Sequence, residues 1–319
     1  MSSSATDSSL VPPKQSVQLN EIADRQNSWE MMELLRAKSA LYDASQLCYR
    51  VQFWTMVVAS VALGALKVVA PYSTKYVDLA SLVLLVVEVL MLDPLQNMWR
   101  IDAASMQEAF DCEVLRLPAR PDFAPHPAGE KIRKWASRHP SIHGLRDWYS
   151  PVFRSLPLPF ARVACQRSGL YWTADLREHF AFRLRIACGI ILLALLVGGV
   201  VQNASVPEAI SWCLTAAPLF VWLAREATRQ REAAAANRAL IASAEKVWAR
   251  MLKNDSSDGD SLQAARELQN EIFNQRKNSP QMFPWVYRTT REGNEEAMHS
   301  GAERLLAEYR AAAVSNGGV

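Results

Sequence analysis

The chain has 319 residues and a formal net charge of +3, with a pI near 8.6 and a mean hydropathy of −0.05, a balance too mildly basic to argue for wrapping a nucleic-acid polymer. Half of the residues are hydrophobic, so an average near zero requires apolar blocks separated by charged segments. The cysteines (Cys48, Cys112, Cys165, Cys188 and Cys213) lie far apart with no CxxC pair, which argues against a disulfide framework or a zinc ribbon and suits a reducing cytosol.

Residues 1–19 are Ser-rich, carry Pro12-Pro13 and lack the charged, apolar, small-residue order of a cleaved signal, so they read as a disordered leader. Residues 20–52 place Trp29, Met32, Leu35 and Leu41 at helical spacing, as expected of a cytoplasmic amphipathic helix running into a membrane. A bilayer core about 30 Å thick needs roughly 20 mostly apolar helical residues, because lipid offers no partner for backbone polar groups. Four stretches meet that requirement, at about 53–71, 77–99, 186–201 and 207–224. Short turns join the first two and the last two, giving transmembrane hairpins over 53–99 and 186–224. Lys67 lies close enough to a span end to snorkel. Glu88 sits near the middle of the second span, where a carboxylate facing lipid costs roughly 2.5–3.5 kcal/mol, so it and Asp93 are expected to face other helices or a water-filled path.

Residues 100–185 read as a cytoplasmic lobe, with helices at about 100–117 and 170–184 around a proline-rich middle. Its basic side chains interleave with aromatics, a combination that suits phosphates and bases. The same residues equally serve the positive-inside rule and the packing of the lobe. Residues 225–253 contain neither Gly nor Pro and are expected to continue the fourth span as a cytoplasmic helical stalk. Residues 254–319 follow as C-terminal cytoplasmic helices. A break at 254–259 comes first, then a helix over about 261–277 capped by Asp260 and Gln263, a Pro-aromatic elbow at 280–287, and a last helix to about residue 313.

Of 35 lysines and arginines, only Lys67 and Lys75 lie on or near the two short turns, whereas Arg183, Arg185, Arg225, Arg229 and Arg231 flank the second hairpin. The positive-inside rule therefore puts the turns outside and both termini in the cytoplasm. Trp54, Trp99, Trp212 and Trp222 fall near span ends, where interfacial aromatics concentrate. The expected fold is an all-α integral membrane protein with four transmembrane helices as two hairpins and helical cytoplasmic regions. Small residues four apart, Ala194 with Gly198 and Cys213 with Ala217, suit close helix contact, and Pro218 is expected to kink the fourth span.

The sequence holds no Gly-x-Ser-x-Gly, HExxH, phosphate-loop or GxGxxG string. His139 and His143 have helical ligand spacing, but Pro140 and Gly144 oppose a helix there. The expectation is therefore no enzyme, no metal site and no cofactor.

Several strings are recognisable: Ile22-Ala23-Asp24-Arg25-Gln26-Asn27 with Leu41-Tyr42, Met106 to Asp111, Cys165-Gln166-Arg167-Ser168 with Trp172 and Leu176-Arg177, and Ile272-Phe273 with Arg276, Trp285 and Tyr287. Over roughly residues 20–310 the chain resembles the SMODS-associated four-transmembrane effectors of bacterial anti-phage defence, departing from them at Gly169 and Thr173-Ala174. That resemblance implies a pore-forming effector of the inner membrane, functionally linked to a nucleotidyltransferase, working as a homo-oligomer in the lipid bilayer and activated by a cyclic oligonucleotide messenger. On it, Arg25, Gln26, Asn27, Gln166, Arg167, Trp172 and Arg177 are the candidate ligand-binding residues, since guanidinium groups fork onto phosphates and amides read base edges. A buried polar network tying the N-terminal helix to the lobe would use the same residue types. The functional alternatives are a constitutive channel or transporter subunit and a membrane-tethered scaffold.

Overall fold

Capping residues and prolines decide where each helix of this chain begins and ends, and the lengths between them are unusual. The computed structural model describes residues 20–317 except 88, 89, 91, 92, 121, 143 and 254–256. After the short α1 (Ile22–Arg25), α2 (Trp29–Val69) starts at Ser28, whose hydroxyl accepts the Met31 amide at 3.5 Å, and it carries Glu30 in its first turn. It stops at a 3-10 turn, Pro71–Ser73, since Pro71 cannot donate to the ladder. Next come α3 (Thr74–Val87), α4 (Asp93–Val114) and α5 (Gly129–Ala136). A second 3-10 turn, Pro151–Ser155, leads into α6 (Leu158–Val201). The turn at 202–205, with Asn203 at φ 48°, feeds α7 (Val206–Leu252), which Ser205 and Glu208 open as a capping box. The chain ends with α8 (Asp258–Asn278) and α9 (Pro284–Gly317).

Two boundaries, and the surroundings of one helix, differ from the sequence expectation. The helix expected from about residue 170 begins at Leu158 and runs unbroken into the third expected span. Gly169 lies inside it, and a single helical glycine costs only about 1 kcal/mol, too little to interrupt 44 residues held by packing. The second half of α7 is one helix as expected, but it does not stand free: Ala233, Asn237, Leu240, Ala244 and Trp248 are buried, and α7 packs on α6 and α8. The cap of α8 is Ser257 with Asp260 at N3, three residues before the predicted pair, so the helix starts at Asp258.

Among the described residues, three helices, within Trp29–Lys67, Leu158–Val201 and Val206–Leu252, are long and apolar enough to cross a membrane. The second expected span falls on α3 and the start of α4, with residues 88, 89, 91 and 92 outside the described residues. On the spans, Val58, Val61, Ile190, Leu193, Leu196 and Val200 are exposed, an apolar belt of the kind that meets lipid.

Two cores divide the buried residues. The larger joins α2, α4, α6, α7, α8 and α9 through Leu35, Leu41, Phe110, Phe153, Leu156, Trp248 and Ile272. The smaller forms a neck where α2, α6 and α7 enter their apolar segments, around Tyr49, Met56, Phe180, Trp222 and Phe283.

Candidate functional site

Apart from Trp172, the sequence-predicted ligand residues fall in separate places and are already engaged with the protein. Arg25 Nη1 donates to the Glu113 carbonyl at 2.8 Å. Gln26 is fully buried and pairs with the Tyr149 backbone, donating to its carbonyl at 3.1 Å and accepting its amide at 2.8 Å. Asn27 donates to Asp147 Oδ1 at 2.9 Å and accepts the Asp147 amide at 3.1 Å, holding that residue at φ 52°. Gln26 and Asn27 stitch the N-terminal segment to the loop ahead of α6, and Arg25 ties it to the end of α4. On α6, Gln166 Nε2 donates to the Ala265 carbonyl at 2.8 Å and to Gln269 Oε1 at 3.0 Å. On the next residue, Arg167 donates to Glu245 Oε1 through Nε at 3.1 Å and Nη2 at 2.7 Å. Arg177 Nη1 reaches Gln230 Oε1 at 2.7 Å and the Pro280 carbonyl at 2.9 Å. The Trp172 and Asp93 side chains, and Glu88 altogether, lie outside what is described.

Gln26 and Gln166 are the two ends of a buried polar network that the sequence strings already marked. Tyr149 Oη donates to Asp111 Oδ1 at 2.6 Å, Gln269 Nε2 bridges Asp111 Oδ2 at 3.0 Å and Glu108 Oε2 at 2.7 Å, and Arg266 Nη2 donates to Glu108 Oε1 at 2.6 Å. Arg276 pairs with Asp111. Two buried carboxylates on α4 are thus matched by two guanidinium groups on α8, which is how charges survive in a low-dielectric interior. Burial would lower the Arg276 pKa, but Asp111 beside it raises it above its usual value. Burial, with Glu108 next to it, pushes the Cys112 thiol up to about 12, so it is not a nucleophile. The network ties the N-terminal segment, α4, α6 and α8 into one body. Among the described residues no group of acidic, His or Cys side chains has the spacing of a metal site; His139 instead faces Asp43 at 3.3 Å.

A second cluster lies within the apolar segments. Lys67 Nζ pairs with Asp78 and donates to the Ser211 carbonyl and hydroxyl, both at 2.6 Å, while Ser211 Oγ donates to Asp78 Oδ2 at 3.0 Å. Lys67 therefore turns inward and ties α2, α3 and α7 together. It does not snorkel, because Asp78 and Ser211 offer it full pairing at the same depth. Gly198, expected on a small-residue face, lies against the Trp212 ring of the next helix.

At the neck, the Pro-aromatic elbow closes on the spans. Phe283 packs against Tyr49, Phe53 and Phe180 with ring centroids 4.8, 5.1 and 5.9 Å apart. Its backbone is held by Gln230 Nε2 donating to the Gln281 carbonyl at 2.5 Å and by Arg177 on Pro280.

Directly below this elbow lies a cavity of about 670 Å³ between the start of α4, the middle of α7 and the end of α8. Arg100 and Arg229 both line it, with Asn97, Asn274, Gln275 and Asn278 and a single carboxylate, Glu232. Arg100 Nε donates to the Lys277 carbonyl at 3.0 Å and its Nη2 bonds Asn97. Burial, reinforced by the like charge of Arg229, lowers the Arg100 pKa. In the sequence Arg229 carries only a topology signal and Arg100 no site signal, because the three walls come from distant parts of the chain. The one available hint was the density of Asn and Gln at the end of α8.

A sequence model for the SMODS-associating 4TM effector domain matches residues 20–305. Comparison with curated proteins finds no match, and comparison with solved structures finds none. The matched segment runs through the body, the neck and the apolar helices alike, so the whole architecture is the family's unit, and the chain belongs to the SMODS-associating 4TM effector family.

Proposed function

We propose that the protein is a membrane-permeabilising effector of anti-phage defence, opened by a cyclic oligonucleotide that a partner nucleotidyltransferase makes. In this reading four spans in two hairpins cross the bacterial inner membrane, both termini are cytoplasmic, and several copies assemble around the opening. The protein acts by gating and not by catalysis.

The observation that carries the reading is the elbow at 279–283. It belongs to the water-side body through Gln230 and Arg177, yet its Phe283 ring sits among the helices at the point where they become apolar. Since α2, α6 and α7 each pass from body to membrane without a break, a shift of the elbow is transmitted to the spans as rigid motion and is not absorbed in linkers. A constitutive channel has no use for such a coupling, and an anchor none for three through-running helices.

The test is dye release from liposomes carrying the purified protein. Addition of a cyclic di- or trinucleotide should start release from wild-type vesicles. Phe283→Leu, which shrinks the ring while keeping apolar volume, should raise release without ligand. No release with any cyclic oligonucleotide, together with wild-type behaviour of Phe283→Leu, defeats the proposal.

A further inference from the structure

The last charged residues of α6 before its apolar run are Arg183 and Arg185, and no Asp or Glu follows them until Glu208. Among the described residues neither arginine forms an ion pair. The acidic residues of α6, Asp175 and Glu178, are turned to His179 and Arg238, further into the body. Arg183 has a different neighbour: its guanidinium carbon lies 5.5 Å from the centroid of the Trp285 ring. Trp285 is 41 % exposed, and it stacks on Phe283 at 6.2 Å and stands edge-on to Phe180 at 6.1 Å. Arg183, Ile186, Ile190, Leu193 and Val197 recur at steps of three and four, so they share one face of the helix. The four apolar members are all exposed, while the face that carries Gly198 packs on α7. Two residues on from Arg183, Arg185 is turned roughly 200° away round the helix.

We infer that Arg183 and Trp285 form the seat of an anionic phospholipid in the leaflet facing the body, its phosphate on the guanidinium and an acyl chain along Ile186, Ile190 and Leu193. A guanidinium lying over an indole keeps its in-plane N–H donors, and these suit phosphate oxygens. Indole rings concentrate at the level of the headgroups, and an arginine near the membrane surface draws anionic lipid. The exposed apolar face directly beneath offers a bed for a chain, so the occupant is a lipid and not a free anion. The seat rests on the membrane placement of α6, and its effect on opening rests on the gated-effector reading. Trp285 stacks on Phe283, and Phe283 packs in the neck. A lipid that holds Trp285 therefore steadies the elbow against the spans.

The test uses full-length protein in nanodiscs of phosphatidylethanolamine with a minor share of phosphatidylglycerol, and native mass spectrometry identifies the lipids that stay bound on ejection. Wild type should retain phosphatidylglycerol above its share in the disc. Arg183→Ala should lower that retention about fivefold, the scale of one arginine at an anionic surface. Trp285→Ala should lower it as well, and Arg183→Lys should fall in between because it keeps charge and loses the planar fork. Arg185→Ala removes the same charge at nearly the same level from the other flank of α6 and should retain phosphatidylglycerol as wild type does. Equal losses in Arg183→Ala and Arg185→Ala overturn the seat in favour of a general attraction to a positive flank, and no loss in either overturns it outright. Glycerophosphoglycerol, the headgroup without chains, should not displace the lipid; displacement overturns the bed on α6. Dye release separates the seat from its consequence. Release without messenger that rises in Arg183→Ala and in vesicles lacking phosphatidylglycerol supports the coupling to the elbow, whereas Arg183-dependent retention with unchanged release overturns that coupling. Arg183-dependent retention in a protein that releases no dye with any cyclic oligonucleotide upholds the seat and overturns the effector reading.

Discussion

Lys38 shows how one residue in the body sets a pH dependence. It lies on α2, fifteen residues before the first expected span, is almost fully buried, and places Nζ 3.7 Å from the centroid of the Trp148 ring. Burial and then the nearby Arg276 lower its pKa to about 7, while Asp111 and Asp43 act in the opposite sense; the indole face also favours the ammonium. In the unfolded chain the amine titrates at its usual value of 10.5. Between pH 7 and 10.5 the unfolded state therefore binds more protons than the folded state, and stability rises with pH across that window. Below pH 7 both states are protonated and the full burden of the buried charge remains. Lys38→Met should raise stability at pH 6 by roughly 1–3 kcal/mol, on the scale of replacing a buried charge by an apolar group, and should flatten the climb above pH 7. Thermal melts in detergent at pH 6, 8 and 9.5, compared between the two proteins, measure both effects; a parallel pair of curves refutes the assignment.

At the scale of elements, the Lys67, Asp78 and Ser211 cluster fixes how three helices meet. Its side chains are largely buried, with Lys67 7 % and Asp78 21 % exposed, and removing one partner from a buried pair typically costs about 3–5 kcal/mol because the other charge is stranded. Lys67→Met should therefore lower the melting temperature by several degrees, while the double variant Lys67→Met with Asp78→Leu should recover most of the loss. Additive destabilisation in the double variant contradicts the pairing. The helices themselves were largely legible in the sequence: uncharged apolar runs, prolines at 157, 159 and 207, and the absence of Gly or Pro over 225–253 are local facts. Caps were less so, since Ser257 and Asp260 compete with a plausible neighbour pair three residues on. The inward turn of Lys67 was not legible, because its partners stand 11 and 144 residues away and only packing brings them together. The same holds for the cavity, whose arginines and amides belong to three helices. The strings around Gln26, Glu108, Gln166 and Arg276 were recognisable as strings, yet single residues do not disclose whether a polar group faces a ligand or another side chain.

On the scale of the whole molecule, the long helices make sidedness and mechanism one question. α6 and α7 each carry an apolar end and a charged end in a single rod, so in the proposed topology the short turns at 70–73 and 202–205 lie at one face of the membrane and the body with its neck at the other. The body holds the paired arginines of the cavity and nearly all of the lysines and arginines, and positive residues avoid translocation when loops are short. Under the proposed function, a messenger made in the cytoplasm can act on the body only if the body is cytoplasmic. A reporter active only in the cytoplasm should therefore work when fused after Lys253 or inserted in the loop before α5, and should fail when inserted at Ser73 or Asn203. Activity at Asn203 together with silence after Lys253 would invert the body, expose it to the periplasm and remove the proposed route by which a cytoplasmic nucleotide acts on the spans.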